Sequence, residues 1–337
     1  MTLYALVRDV AAEMLSWSGW SAPRRRLRGA LSIATFHRVL SPEERAEYPL
    51  GELVVTPDEL SQICESLAAR FTCTTLADAH QRWLSGENPE RPLLAVTFDD
   101  GQLDNRTRAL PVLAKHGIRA SFFIVSSAAE NGASLWHDRI AFALPRAAAR
   151  DSGAARALLA ELAPDAERSD AARILELAKA RLPSADDRER WIARLEACAG
   201  GPWRPAWDGM LRWDDLRAMH AAGHEIGSHS HSHPLLPTCS DAELERELAL
   251  SKTGLERAVG TSVTSFCYPN GDSDARVEAA ARRAGYLRAV TTRHGWNARG
   301  AGSYALARCD LTYVHCVDRR GRFSPARLAL RLGRAAG

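Results

Sequence analysis

Apolar residues along this chain switch between two periods, and the switches divide it into elements. Short, nearly unbroken apolar runs at 31–36, 93–98, 120–125, 263–268, 287–292 and 304–311 predict buried strands, with a shorter one at 225–228. Between them lie segments of helical character. Thr56-Pro57-Asp58-Glu59 supplies a hydroxyl cap, a first-turn proline and an acid three residues after the cap, which starts a helix running to about residue 69. Ser240-Asp241-Ala242-Glu243 starts another, reaching about residue 259. Residues 104–115, 213–222 and 274–284 read as further helices, the first two closed by Gly117 and Gly223. Strand, helix and strand alternate, as a parallel α/β fold requires.

Two stretches depart from that rhythm. Over 140–212, Ala, Arg, Leu and Glu dominate and strand-formers thin out, which predicts a helical insertion broken near Pro164, Pro183 and residues 200–205. At the amino end, Leu3, Leu6, Val7, Val10, Met14, Leu15, Trp17 and Trp20 share one helical face, followed by Arg24, Arg25 and Arg26. That pattern fits a helix packed on the rest of the molecule or on a second subunit, and equally a helix making peripheral contact with an anionic membrane. The expected layout is an amphipathic helix over 1–29, an α/β barrel unit over 30–320 that contains the insertion, and a carboxyl-terminal tail over 321–337.

The 337 residues suffice for one large α/β barrel or two modest domains. A net charge of +3, with acids and bases interspersed, gives no reason to expect nucleic acid as a partner. Seven cysteines, odd in number and without a Cys-x-x-Cys pair, argue against a disulfide framework and for a reducing compartment. No run approaches the roughly twenty apolar residues of a spanning helix. Arg8, Asp9 and Glu13 interrupt what would have to be the apolar core of a signal peptide. These features lead to the expectation of a cytoplasmic protein, at the inner face of the membrane if the first helix engages it; they leave the oligomeric state open.

The densest chemistry lies in two separated segments. Thr97-Phe98-Asp99-Asp100-Gly101 ends one predicted strand, and Gly227-Ser228-His229-Ser230-His231-Ser232-His233-Pro234 follows another. Two adjacent carboxylates repel unless a cation or a shared proton relieves them. Imidazole nitrogen together with carboxylate oxygen suits zinc and its borderline neighbours, so the two segments read as halves of one metal site. Pro234 disfavours a helical His233 and puts the cluster on a loop.

These motifs, with the later Phe266-Cys267-Tyr268-Pro269-Asn270-Gly271, resemble in the same order the first three motifs of the NodB-like polysaccharide deacetylases, carbohydrate esterase family 4. Phe36-His37-Arg38-Val39, Leu135-Trp136-His137-Asp138 and Thr291-Thr292-Arg293-His294-Gly295 look like the branch serving exopolysaccharide and capsule synthesis. The resemblance covers about residues 30 to 310 and implies a distorted (β/α) barrel with fewer than eight complete units. Active residues of such barrels sit at the carboxyl ends of strands. The predicted strands put His37, Asp99, Asp100, His229, His233 and Tyr268 at or just beyond such ends.

By resemblance, Asp100, His229 and His233 bind a divalent metal, Zn2+ first and Co2+, Mn2+, Ni2+ or Fe2+ as alternatives, while Asp99 is the general base. Tyr268, Pro269, Asn270 and Gly271 form the oxyanion and substrate wall, with the Asn270 backbone N–H on the oxyanion. Trp136 and Asp138 line the sugar site or anchor the insertion. His231, at a position the motif leaves free, reads as solvent-facing or supporting rather than ligating. Many members carry arginine where this chain has Cys267, so the guanidinium that would orient the base is absent from the motif, and Cys267 reads as a buried, inert thiol. No clean Leu-x-His motif supplies a general acid: His37 is the candidate by position, and His294 and His315 are approximate matches.

The function implied is hydrolysis of an N-acetyl group from an amino sugar in a bacterial surface polysaccharide or its lipid-linked precursor. The N-acetylated glycan or lipid-linked saccharide is then the partner molecule. Deformylation of a lipid-linked amino sugar, hydrolysis of a small cyclic amide, and a catalytically silent glycan- or metal-binding module are the rival readings.

Overall fold

The structure, a computed structural model, describes residues 27–162 and 170–333. Its strands are β1 Leu31–Phe36, β2 Arg38–Val39, β3 Val54–Val55, β4 Thr72–Thr74, β5 Leu93–Phe98, β6 Ser121–Ile124, β7 Glu225–Ser228, β8 Ser265–Cys267, β9 Arg288–His294 and β10 Leu306–Asp310. Strands β1, β10, β9, β8, β7, β6 and β5 pair in that order, and β5 returns to β1, so seven parallel strands close a barrel. β4 adds a short edge beside β5, and β2 with β3 forms a separate ladder. β1 and β5 run in register from Leu31 opposite Leu93 to Phe36 opposite Phe98. His37 and Asp99 therefore leave the barrel side by side.

Alternation along each strand decides what reaches the lumen. Leu31, Ile33, Leu93, Ala95, Phe123, Cys267, Val290 and Leu306 form one buried cluster with Leu76, Ala79 and Trp83 of the helix Leu76–Leu84, which closes the amino end of the barrel. The alternate residues, among them Ala34, Phe36, Val96, Phe98, Phe122 and Phe266, pack outward under the surrounding helices. Burial on both faces is why these strands read as unbroken apolar runs. At Gly227 an added Cβ would stand 2.6 Å from the Phe123 ring, so glycine is what lets Phe123 fill the lumen there. Continuing the same alternation upward brings Asp99, His229 and Arg308 to the carboxyl end.

The amino end is closed by polar groups as well. Glu225, the first residue of β7, accepts hydrogen bonds from the Ser121 hydroxyl at 2.6 Å and from the Ala77 N–H at 2.8 Å. Arg288, the first residue of β9, donates to the Ser265 hydroxyl at 2.9 Å and through Nε to His80 Nδ1 at 3.3 Å. His80 Nε2 lies 3.0 Å from the Ser303 hydroxyl. An arginine donating to Nδ1 fixes the His80 ring as neutral, with its hydrogen on Nε2.

Between β6 and β7 the chain forms the helices Trp136–Arg150, Ser152–Leu162, Ala171–Arg181 and Ala185–Cys198. They bury Ile140, Phe142, Ile174, Trp191, Ile192 and Leu195 in a core of their own, shared with Tyr48, Leu50 and Val54. The helical insertion is thus present, beginning at Trp136 rather than at residue 140, and Pro183 separates its last two helices. Pro164 and residues 1–26 of the amphipathic segment expected over 1–29 lie outside the described residues. The stretch expected as a tail instead carries the helix Pro325–Leu332, capped by Ser324, with Leu328 and Leu332 in the outer barrel core. The segment 104–115 opens on a π-helical turn, Asn105–Ala109, before the α-helix Leu110–Lys115. No helix among the described residues is long and apolar enough to cross a membrane.

His80 makes a pH prediction. Burial, with the Arg288 guanidinium beside it, pushes its pKa down from 6.5 to about 4. The unfolded chain binds a proton near pH 6.5 that the folded chain refuses until about pH 4, so stability is full above that window and falls as pH drops through it. Between pH 7.5 and 5 this one group accounts for about 2 kcal/mol. Denaturant titrations of wild type and His80→Gln at the two pH values are expected to show a pH-dependent loss smaller by that amount in the variant.

Candidate metal centre and active site

Asp99 and Asp100 are adjacent in sequence but face different partners, because Asp100 takes a left-handed backbone with φ 74°. Asp99 turns into the lumen and meets Arg308 of β10 in a two-pronged ion pair, 2.8 Å from Nη1 to Oδ1 and 2.7 Å from Nη2 to Oδ2. Arg308 is 1% exposed and also donates to the Thr291 carbonyl and the Thr35 hydroxyl, each at 2.8 Å. Burial by itself would raise the Asp99 pKa; the guanidinium outweighs it and holds the carboxyl below its ordinary range.

Asp100 faces the histidine loop. Its Oδ1 lies 3.4 Å from His229 Nε2 and 3.6 Å from His233 Nε2. His229 follows β7 directly, and its Nδ1 stands 2.8 Å from the Cys267 carbonyl, which puts the ring hydrogen on Nδ1 and a lone pair on Nε2. His233 has φ 59°, and its backbone N–H donates to the Ser230 hydroxyl at 3.0 Å. The Trp136 indole N–H reaches the His233 carbonyl at 3.1 Å and Nδ1 at 3.2 Å. A ring that ligates through Nε2 carries its hydrogen on Nδ1, which leaves the carbonyl as the indole's acceptor.

One carboxylate oxygen and two imidazole nitrogens within 4.8 Å of one another suit a divalent metal and leave room for further ligands. Asp99, His229 and Cys267 form an equally compact group. Arg308, however, takes both Asp99 oxygens, and burial pushes the Cys267 thiol up, so that group offers no free anionic ligand. The non-glycine residues with positive φ among those described are Asp100, Ser230, His233 and Asn270, all in the three motifs. Such conformations cost energy and persist where the surroundings over-determine them.

A cavity of about 240 Å³ opens over this centre, with His37, Asp99, Asp100, His229, His233 and Arg308 in its wall. His37 Nε2 lies 3.9 Å from Asp99 Oδ2. Tyr268, Asn270 and Gly271 line the opposite wall, while Pro269 is buried behind them. A Cβ at Gly271 would lie 2.1 Å from the Thr292 hydroxyl, so only glycine lets this turn approach β9. Asn270 Nδ2 is buried without a hydrogen-bond partner, a donor left over at the cavity. Trp136, expected at the sugar site, instead stands behind His233, with the Arg188 guanidinium 4.9 Å over its ring. Asp138 anchors the insertion: it accepts from the Tyr48 hydroxyl at 2.6 Å and from Gln102 at 2.8 Å. His231 lies 2.9 Å from the Ser126 hydroxyl, and neither it nor His294 or His315 lines the cavity.

Two residues of the site escaped sequence reasoning. The guanidinium absent from the third motif arrives from β10, with Arg308 Nη2 3.3 Å from the Cys267 sulfur. Its signal was parity: an arginine two residues after the inward-facing Leu306, inside an apolar run. His137, from the first turn of the insertion, puts Nε2 3.6 Å from Asp100 Oδ2, the oxygen turned away from the histidine pair. The insertion and the β2–β3 segment complete the cavity rim with Leu50, Leu53, Leu175 and Lys179.

A seven-stranded parallel barrel with an Asp-His-His centre at its carboxyl end is the architecture of a carbohydrate esterase. The family model described as polysaccharide deacetylase matches residues 86–289, and the chain belongs to that family. It is 32% identical over 83 residues to chitin deacetylase 1 of Cryptococcus neoformans var. grubii, covering 25% of this chain and 18% of that protein. It is 21% identical over 249 residues to YxkH of Bacillus subtilis, covering 68% and 62%. The chain thus spans less than two thirds of the length of either relative. The structure of the deacetylase PplD of Streptococcus pyogenes shares the fold, with a TM-score of 0.59, 19% identity and coverage of 90% of this chain and 98% of that one.

Proposed function

We propose that this chain is a metal-dependent deacetylase that removes the N-acetyl group from an amino sugar of a bacterial surface polysaccharide or its lipid-linked precursor. One observation carries the reading: beside the metal-ligand trio stands a second ionised carboxylate, Asp99, held by Arg308 and kept out of the ligand set. A module that only stored metal would have no use for it. Asp100, His229 and His233 would hold the metal, zinc by donor chemistry, which when bound would supply Lewis acidity at the cavity floor.

Asp99 takes the proton from the attacking water as the water oxygen bonds to the amide carbon. Arg308 keeps the carboxylate ionised and aimed. The Asn270 edge of the cavity supplies hydrogen-bond donors for the oxygen on which charge develops. His37, on the other side of Asp99, donates a proton to the nitrogen as the C–N bond breaks, and acetate and the free amine leave. The apolar rim of Leu50, Leu53 and Leu175 keeps bulk water from the bond being cut.

Asp99→Asn is expected to bind zinc within about threefold of wild type, by calorimetry, and to lose turnover by a factor of roughly 10² to 10⁴. Release of formate instead of acetate would favour the deformylase; metal binding with no release of either from a panel of N-acylated sugars would make the chain a silent module. Arg308→Gln is expected to destabilise the fold by about 3 to 5 kcal/mol in denaturant titrations, because it leaves Asp99 buried and unpaired. The double variant with Asp99→Asn should cost much less than the sum of the two single ones. We extend the proposal to the inner membrane face, on the apolar stripe of residues 3–20 and the arginines that follow: full-length protein should float with anionic liposomes and a form lacking the first 28 residues should not.

A further inference from the structure

The cavity over the metal centre holds about 240 Å³, below the roughly 300 Å³ at which pockets begin to enclose drug-sized ligands. It has room for about one sugar unit and its acyl group. A polysaccharide held there must continue over the surface. The loop that follows the helix Ser126–Asn131 and the segment after Cys198 enclose a second, more open hollow of about 460 Å³. Its wall includes Asn131, Ser134, Arg139, Glu196, Trp203 and Arg204.

Trp203 stands out. It is 48% exposed, and the other large exposed hydrophobics among the described residues are aliphatic. The ring is not loose: the Arg146 guanidinium lies 4.4 Å over one face, and Phe142 meets it edge-on at 6.2 Å. A held indole leaves its other apolar surface to the solvent, flanked by hydrogen-bonding groups that are themselves positioned. Arg204 is tied to the Gly132 carbonyl at 2.8 Å, and Arg139 pairs with both Glu189 and Glu196. The hollow and the metal centre share one stretch of chain: Ser134 lies in the wall of the hollow, and two residues further on Trp136 braces His233.

A fixed aromatic face ringed by planar polar groups matches the chemistry of a sugar ring, whose C–H face stacks while its hydroxyls hydrogen-bond at the edge. We infer that Trp203 is the platform of a second saccharide subsite, which takes a ring of the same glycan whose acylated unit sits over the metal. The inference rests on the polysaccharide reading and deepens it, because it makes the preferred substrate an oligomer and not an isolated amino sugar.

The test uses the zinc-loaded full chain, with N-acetylglucosamine and its β-1,4 and β-1,6 oligomers of two to six units as probes. Trp203→Ala is expected to raise KM for the longer oligomers about tenfold, equivalent to about 1.4 kcal/mol, and to leave kinetics on the single sugar unchanged. Trp203→Tyr should recover most of the loss. Equal kinetics of wild type and Trp203→Ala on every length, or equal losses on single sugar and oligomer, would overturn the subsite. If wild type turns over none of the probes, the deacetylase reading fails on them separately, and tryptophan fluorescence then decides: a hexamer-induced shift present in wild type and absent from Trp203→Ala supports the platform, and no shift in wild type refutes it.

Discussion

Two carboxylates that follow one another at the end of a buried strand cannot both stay charged unless each has its own counter-charge, and the site is arranged around that constraint. The left-handed turn at Asp100 separates them. Asp99 goes down to a guanidinium and Asp100 goes across to imidazoles. The first pairing is exclusive among the described residues, because Arg308 is itself buried and has no other acid there within hydrogen-bonding distance. The second brings one carboxylate oxygen and two imidazole nitrogens within 4.8 Å of one another, a donor set that suits a divalent cation.

The barrel makes this arrangement geometrically cheap. Closure pairs β1 with both β5 and β10, so a residue on β10 faces a residue at the end of β5 across a lumen filled below by apolar side chains. Alternation puts Asp99, His229, Cys267 and Arg308 on the inner face without further device. What alternation cannot do is turn the chain at the mouth, and there the cost appears as strained backbone at Asp100, Ser230, His233 and Asn270. The surrounding hydrogen bonds, from the His233 N–H to the Ser230 hydroxyl and from His229 Nδ1 to the Cys267 carbonyl, hold that strain in place.

The insertion has two roles. It folds on its own hydrophobic core, which gives the rigidity to present His137 beneath Asp100 and Trp136 behind His233. It also reaches over the cavity with Leu175 and Lys179 of the helix Ala171–Arg181, so the unit that braces Asp100 and His233 also narrows the opening above them. Arg38 ties this unit to the barrel: it is 1% exposed and binds Asp104 and Asp208, 2.9 and 2.8 Å away, from opposite sides of the insertion.

Local chemistry in the sequence determined the strands, because residues buried on both faces must be apolar wherever the rest of the chain lies. It also determined the helix starts at Thr56 and Ser240, because a capping box is closed within four residues. Asp99, Asp100, His229 and His233 were legible for a similar reason: each half of the site is a short, dense motif. Three further elements went unread: β4, the helix Leu76–Leu84 and the helix Pro325–Leu332, which carry no site motif and whose apolar faces pack against the barrel. Nor was the partner of Asp99, since 209 positions separate it from Arg308. Which arginine answers which acid depends on the strand order, and only a closed barrel, in which β1 pairs with both β5 and β10, brings Arg308 of β10 to the acid at the end of β5.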